Sequence, residues 1–408
     1  MPLERLTADL NMQLAELEQA GTAKGREAVV VEVRRPQGAR GPRFLLDGHG
    51  LREFIRMNSN SYLGLSLRAE LLLAEERAAE KYGVGPGAVR FISGTYQPHV
   101  LLERALAAFH DRDACMLSGA AYTGVMGVLA SLTTPDTILV SDELNHNCIV
   151  NGMKLARPKA RKVYAHLDLG VLEEELLESV GQGDGLIVIT DGVFSMRGDH
   201  APIDRLKKLI ERFDARFPRG AVLLVDDSHG VGAFGETGRG SEEVTGGRAD
   251  ILVGTLGKAF GVNGGYVVGD ATVIRYLREK NPFYIYSNPI APGEAAAALA
   301  ALELVQGASG ALLLSHLREM TQRFRDGLKT LRFETIEGQH PVVPLLVRDT
   351  DRTRALVAYL RDHGVLATGL NYPVVPKGEQ LIRFQVSADH TPEDIDEVLR
   401  VLEGFRKT

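Results

Sequence analysis

The sequence predicts an α/β fold, with a mostly parallel sheet in a large domain covered by helices and a small C-terminal α+β domain. Two patterns point to it. The runs "DTILVSDE", "GLIVITDG", "AVLLVDDSHG" and "DILVGT" are apolar throughout rather than alternating, as strands buried on both faces are. From about residue 65 such runs take turns with helical patterns, the order that gives parallel sheets flanked by helices. The length, 408 residues, is more than one small core organises and calls for a second unit.

Element by element, the chain opens on "MPLERLTADLNMQLAELEQAG", which places Leu6, Leu10, Leu14 and Leu17 on one face of an amphipathic helix. Charges run through this stretch, so it reads as neither a signal peptide nor a membrane span. "VEVRRP" and "RFLLDG" predict a hairpin or small sheet within residues 29–48. "LLERALAAFH" and "TGVMGVLASL" are helical, and "ACMLSG" between them is a strand. "PGEAAAALAALELV" begins a long helix with Pro292 near its start, where a missing N–H costs nothing. "PVVPLLVRD", "QLIRFQVSA" and a last helix make the second unit. The expected divisions are 1–60 for the N-terminal helix and small sheet, 61–290 for the large cofactor-binding domain and 291–408 for the small domain.

Composition narrows the function. A net charge of −6 advertises no basic surface, so neither nucleic acid nor an anionic membrane is an expected partner. Two cysteines, Cys115 and Cys148, give no disulfide framework and no metal-ligand spacing, which fits a reducing cytoplasm.

In open parallel sheets ligands gather at the carboxyl ends of the strands. The residues just after the apolar runs are Ser118 and Gly119, Asp142 and His146, Asp191 and Ser195, Asp226 and His229, and Thr255 and Lys258. Singly, each has an ordinary role: an Asp caps a helix, a His packs in a core, a Lys in a Gly-rich loop is solvated. Together they fit an aldehyde-bearing cofactor. A desolvated lysine attacks a carbonyl to form a Schiff base, and a carboxylate beside a pyridine nitrogen keeps that ring an electron sink. An imidazole stacks on its face, and glycines at a helix start receive a phosphate.

"VDDSHGVGAFGETGRG" followed by "GTLGKAFGVNGG" resembles the pyridoxal-phosphate α-oxoamine synthases. So do "NSNSYLGL", "RFISGTYQPHVLLERALAAF", "SDELNHNCIVNG", "TDGVFSMRGDHAPI", "YIYSNPIAP" and "ATGLNYPVVPKGEQLIRFQVSADHT", in the family's order over nearly the whole chain. The resemblance implies a fold-type I transferase with pyridoxal 5′-phosphate (PLP) on Lys258. It implies Asp226 at the pyridine nitrogen, His229 near the ring hydroxyl and His146 on the ring face. Gly119, Ala120 and Thr255 match the phosphate cradle, and Ser287 and Asn288 the pair reaching a neighbour's phosphate, so a homodimer is implied. Arg383 matches the receiver of the amino acid carboxylate, while Asn60 and Ser195 match polar residues facing substrate and cofactor.

The implied reaction joins an amino acid to an acyl-CoA with release of CoA. "YIYSNPIAP" and "YPVVPKG" are most similar to the glycine C-acetyltransferase branch, which makes glycine the expected acceptor. "GKAFGVNGG" is closer to the 8-amino-7-oxononanoate synthase branch, which makes alanine and a longer acyl-CoA the rival. Arg197 in "SMRGD" stands where relatives usually carry an acid, and reads as a surface charge or as a contact for an anionic donor group. Two other classes stay open: another fold-type I enzyme such as an aminotransferase, which needs no acyl-CoA, and a cofactor-binding protein without turnover.

Overall fold

The continuous apolar runs lie side by side, as strands without a polar face must. In the computed structural model, which describes residues 2–407 except 21, 24 and 373, β1 (Val30–Arg34) and β2 (Arg43–Leu46) form an antiparallel pair. They are followed by β3 (Ile55–Arg56). The central sheet takes β4 (Ala114–Ser118), β5 (Thr137–Asp142), β6 (Ala160–Tyr164), β7 (Gly185–Asp191), β8 (Ala221–Asp226), β9 (Ile251–Thr255) and β10 (Gly265–Gly269). Their order is β4-β10-β9-β8-β7-β5-β6. Every residue of β5, β7 and β9 is buried. Each Val, Ile or Leu so placed contributes roughly 1.5–3 kcal/mol, so Ile189→Ala in β7 would cost about 2–5 kcal/mol.

Only β10 runs against the rest, antiparallel to both β4 and β9, because the short turn from β9 leaves no room for a crossover. Strand β6 closes the opposite edge with alternating burial over "ARKVY". Charged side chains on such an edge discourage further pairing, and they also break the continuous apolar signal that exposes the inner strands in the sequence.

The second unit holds β11 (Val342–Leu346), β12 (Val365–Leu366), β13 (Thr368–Leu370) and β14 (Leu381–Gln385). Its antiparallel sheet has the order β11-β14-β13, and β12 pairs in parallel with β3. The N-terminal segment is thus built into the C-terminal unit. Arg43 and Asp394, both buried, meet at 2.6 Å, and Asp394 also accepts the Gly41 N–H. The helix Pro292–Gln306 packs on helices Ala69–Tyr82 and Gln97–Phe109 of the large body. Across Gly307 the chain bends by 76° into Ala308–Thr330, which packs on Pro392–Arg406. The expected boundary at residue 291 falls just before helix Pro292–Gln306. Helix Pro2–Gln19 buries none of its residues, leaving its leucine face open. No single helix among the described residues is long and apolar enough to cross a membrane.

Candidate active site

The register of the sheet assembles the site. Gly265 at the start of β10 pairs with Ser118 at the end of β4 and with Thr255 at the end of β9, and Asp191 pairs with Asp226. The strand-exit residues therefore share one edge. Most of them border a cavity of about 260 Å³ lined by Ala120, His146, Ser195, Asp226, His229, Thr255 and Lys258; Asp142 instead accepts the Leu144 and Leu167 N–H groups and bonds His166. The same cavity is lined by Tyr122, Cys148, Asp191 and Ser228.

Glycine clears the way for Lys258. A Cβ on Gly265 would stand 2.3 Å from the Ala121 nitrogen, so only glycine lets β10 approach the start of helix Ala121–Leu132. Gly261 takes φ +71° with its α-carbon against Ser66, a conformation that side chains resist. Gly119 borders this helix start, and its missing Cβ would meet only the Asn288 carbonyl oxygen, at 3.7 Å. The open backbone and the free N–H groups of a first helical turn suit an anion.

The motif around Arg90 is structural. Arg90 grips Glu103 through two hydrogen bonds of 3.1 Å, and Glu103 also accepts the Leu117 N–H at 3.0 Å. His99 accepts the Tyr96 N–H and donates to the Ile290 carbonyl. These bonds pin the end of β4 and hence Gly119.

Around the cavity the charges are closely set. Asp226 accepts from the Ser228 N–H and hydroxyl at 3.1 and 2.6 Å, and from the Cys148 thiol at 3.3 Å. The Asn145 side chain bridges β5 to β7, donating to the Ile189 carbonyl and accepting the Asp191 N–H. The next residue, His146, gives its backbone N–H to Asp191 at 3.0 Å. Burial, with Asp226 nearby, pushes the Asp191 carboxyl well above its usual range. The His146 ring is exposed toward the cavity, with Tyr122 edge-on at 6.1 Å.

Burial lowers the Lys258 pKa, against the pull of Asp226 and Asp191. Among the described residues its ammonium has no hydrogen-bond or ion-pair partner. Burial likewise holds His229 well below the usual imidazole range, reinforced by Lys258. The Tyr62 phenol lies 2.7 Å from His229 Nδ1.

The substrate-side residues lie beside this cavity rather than in its wall. Arg383 Nη1 donates to the Ser195 carbonyl at 3.2 Å, while its buried Nε has no partner among the described residues. Gln385, two residues on and on the same face of β14, donates to Asn60 Oδ1. Ser287 and Asn288 are exposed and do not line the cavity, although Asn288 borders Gly119. Arg197 is neither free at the surface nor in the cavity: it bonds Asp199 at 2.8 Å and reaches Glu379 at 3.5 Å.

Four neighbours, Tyr62, Tyr122, Cys148 and Ser228, join the site without being named among its residues from the sequence, and Asp191 joins it as the strand exit it was read to be. The fit to PLP is good: an unpartnered, desolvated amine for the aldehyde, a carboxylate with lone pairs to spare, an open imidazole face and a glycine cradle. An orphaned guanidinium N–H beside them suits a carboxylate.

Residues 52–402 match the family model for aminotransferase class I and II. The chain is 38% identical over 386 residues to an 8-amino-7-oxononanoate synthase of Thermosipho melanesiensis, covering 94% of this chain and 95% of the relative. It superposes on a serine palmitoyltransferase of Sphingomonas wittichii with a TM-score of 0.87 and 25% identity, over 100% of this chain and 97% of that one. A serine palmitoyltransferase of S. paucimobilis with a bound PLP–myriocin aldimine gives 0.86 and 24% over 98% and 97%.

Proposed function

Because the chain belongs to the PLP-dependent α-oxoamine synthases, within aminotransferase class I and II, we propose that it condenses alanine with a carboxylate-ended acyl-CoA and releases CoA. Support comes from the relatives' name. In 8-amino-7-oxononanoate, C8 bears the amine and C9 is a methyl, which together are alanine without its carboxyl, and C1 to C7 form an acyl group ending in a carboxylate. The α-proton of alanine is removed, a carbon–carbon bond forms at the α-carbon, the thioester C–S bond breaks and the CoA thiolate takes a proton from solvent; the alanine carboxyl leaves as CO₂, its electron pair stays on the α-carbon, and the removed proton returns there.

PLP supplies an electron sink for the charge that develops at the α-carbon. The chain's own groups do the rest. Arg383, anchored on Ser195, presents an unpaired N–H to the amino acid carboxylate. Lys258, its pKa lowered by burial, takes the α-proton and returns it. Asp226 would hold the proton on the pyridine nitrogen of bound PLP. His229, kept neutral by burial, would hydrogen-bond at the ring hydroxyl, and His146 would cover the ring face. The single observation that carries this reading is the unpartnered Lys258 amine facing Asp226 across one cavity.

A second reading, glycine with a short acyl-CoA, is favoured by "YPVVPKG" in the segment before β14; Pro373 within it lies outside the described residues. The test offers alanine and glycine in competition, with acetyl-CoA and with a dicarboxylic acyl-CoA, and reads product mass. A product from alanine and the diacid supports the first reading; one from glycine and acetyl-CoA replaces it with the second.

A homodimer belongs to the same proposal. The exposed Tyr286–Asn288 segment beside Gly119, the open leucine face of Pro2–Gln19 and the exposed Val84, Phe91 and Ile92 all favour a second copy.

A further inference from the structure

We propose that Cys148 is a positioning residue that fixes which lone pair of Asp226 meets the pyridine nitrogen of PLP. The carboxylate has two oxygens with two lone pairs each. Oδ1 is saturated, because the Ser228 N–H and hydroxyl both donate to it, at 3.1 and 2.6 Å. Among the described residues Oδ2 accepts only from the Cys148 thiol, at 3.3 Å. One lone pair of Oδ2 is therefore left for the ring.

The thiol has one proton and two acceptors in reach. His146 Nδ1 lies 3.0 Å from the sulfur, but it already accepts the Cys148 backbone N–H at 3.3 Å. The thiol proton thus goes to Asp226. Cys148 is 1% exposed, and burial together with Asp226 and Asp191 pushes the thiol pKa up. It stays a donor and is no nucleophile.

This arrangement ties each carboxylate oxygen to a different element. Ser228 holds Oδ1 from the loop after β8, and Cys148 holds Oδ2 from the first turn of helix Asn147–Ala156. The same helix is capped by His146, whose ring meets the cofactor face. One helix terminus therefore fixes both the stacking imidazole and the carboxylate.

The inference rests on the PLP assignment, which uptake of PLP by the wild-type apoprotein tests on its own, by growth of the visible band. The experiment then measures the PLP dissociation constant and the apoprotein melting temperature for Cys148→Ala, Cys148→Val and Cys148→Ser. Losing the donor is expected to raise the dissociation constant about tenfold in the Ala and Val variants. The Ser variant, which keeps a donor, should stay within about twofold of wild type. In an Asp226→Asn background Cys148→Ala should add no more than about twofold, because its partner is already altered. Wild-type affinity in the Val variant would reduce the thiol to a space-filler and overturn the proposal. So would equal losses in the Ser and Ala variants that track the melting temperature, or a full tenfold effect in the Asp226→Asn background.

Discussion

Tyr62 and His229 meet through a 2.7 Å contact between the phenol oxygen and Nδ1, which joins the N-terminal segment to the loop after β8. Burial pushes the Tyr62 phenol up and His229 well down, so a neutral phenol faces a neutral imidazole. His340 donates to the His229 carbonyl at 2.9 Å and holds the backbone as well. With the phenol as donor, Nε2 carries the imidazole proton on the cavity side.

Tyr62→Phe is expected to lower kcat about fivefold, the equivalent of the ~1 kcal/mol of one buried hydrogen bond. Because the ring still fills its place, the melting temperature should change little. Steady-state kinetics beside thermal melting check both. Full activity would remove Tyr62 from the orientation of His229.

Asp226→Asn removes the charge that holds the pyridine proton. Transition-state stabilisation should fall by roughly 3 kcal/mol or more, the scale of a preorganised electrostatic group. Far-UV circular dichroism should be unchanged, because the amide oxygen can still accept both Ser228 bonds and only the Cys148 contact is lost. A near wild-type rate would leave Asp226 a loop-capping residue.

What the sequence made legible follows from where the physics is local. Buried strands must be apolar on both faces, so β5, β7, β8 and β9 and the chemistry at their ends could be read directly. β6 escaped because an edge strand needs no such pattern. That the alanine-rich helix Pro292–Gln306 packs with helices Ala69–Tyr82 and Gln97–Phe109 could not be read, because contacts between distant helices leave no local mark. Tyr62, Tyr122 and Cys148 were missed for the same reason: each matters only through a partner far along the chain. Cys148 in particular read as a lone free thiol.

Arg197 is a bridge between units. His166, between Asp142 at 3.0 Å and Asp199 at 3.3 Å, completes a row of alternating charges that ends at Glu379. Burial would lower the His166 pKa, but the bonds to the two carboxylates outweigh it and raise it to about 9. A raised pKa stabilises fully below the unfolded value, roughly 6.5, and this contribution is lost as pH rises through about 9. Melting temperature should therefore fall across that window, and His166→Gln should flatten the dependence. Arg197→Asp is expected to raise KM a few-fold and equally for acetyl-CoA and a dicarboxylic acyl-CoA. A loss confined to the dicarboxylic donor would instead place its tail on the guanidinium.

Assembly is the next test. If Ser287 and Asn288 complete a neighbour's cradle, specific activity should fall on dilution below the dimer dissociation constant and be restored by excess Ser287→Ala/Lys258→Ala partner only in part. Sedimentation velocity over the same concentrations checks the state directly. A fully active monomer would contradict the shared site.

The most direct test of the proposed chemistry is release of CoA thiol by the PLP-loaded protein, with alanine and a dicarboxylic acyl-CoA together and each alone. Thiol should appear only with both present, mole for mole with an amino ketone, and Lys258→Ala should abolish it. Amino-group transfer to a 2-oxo acid without thiol release would contradict the condensation and make the protein an aminotransferase.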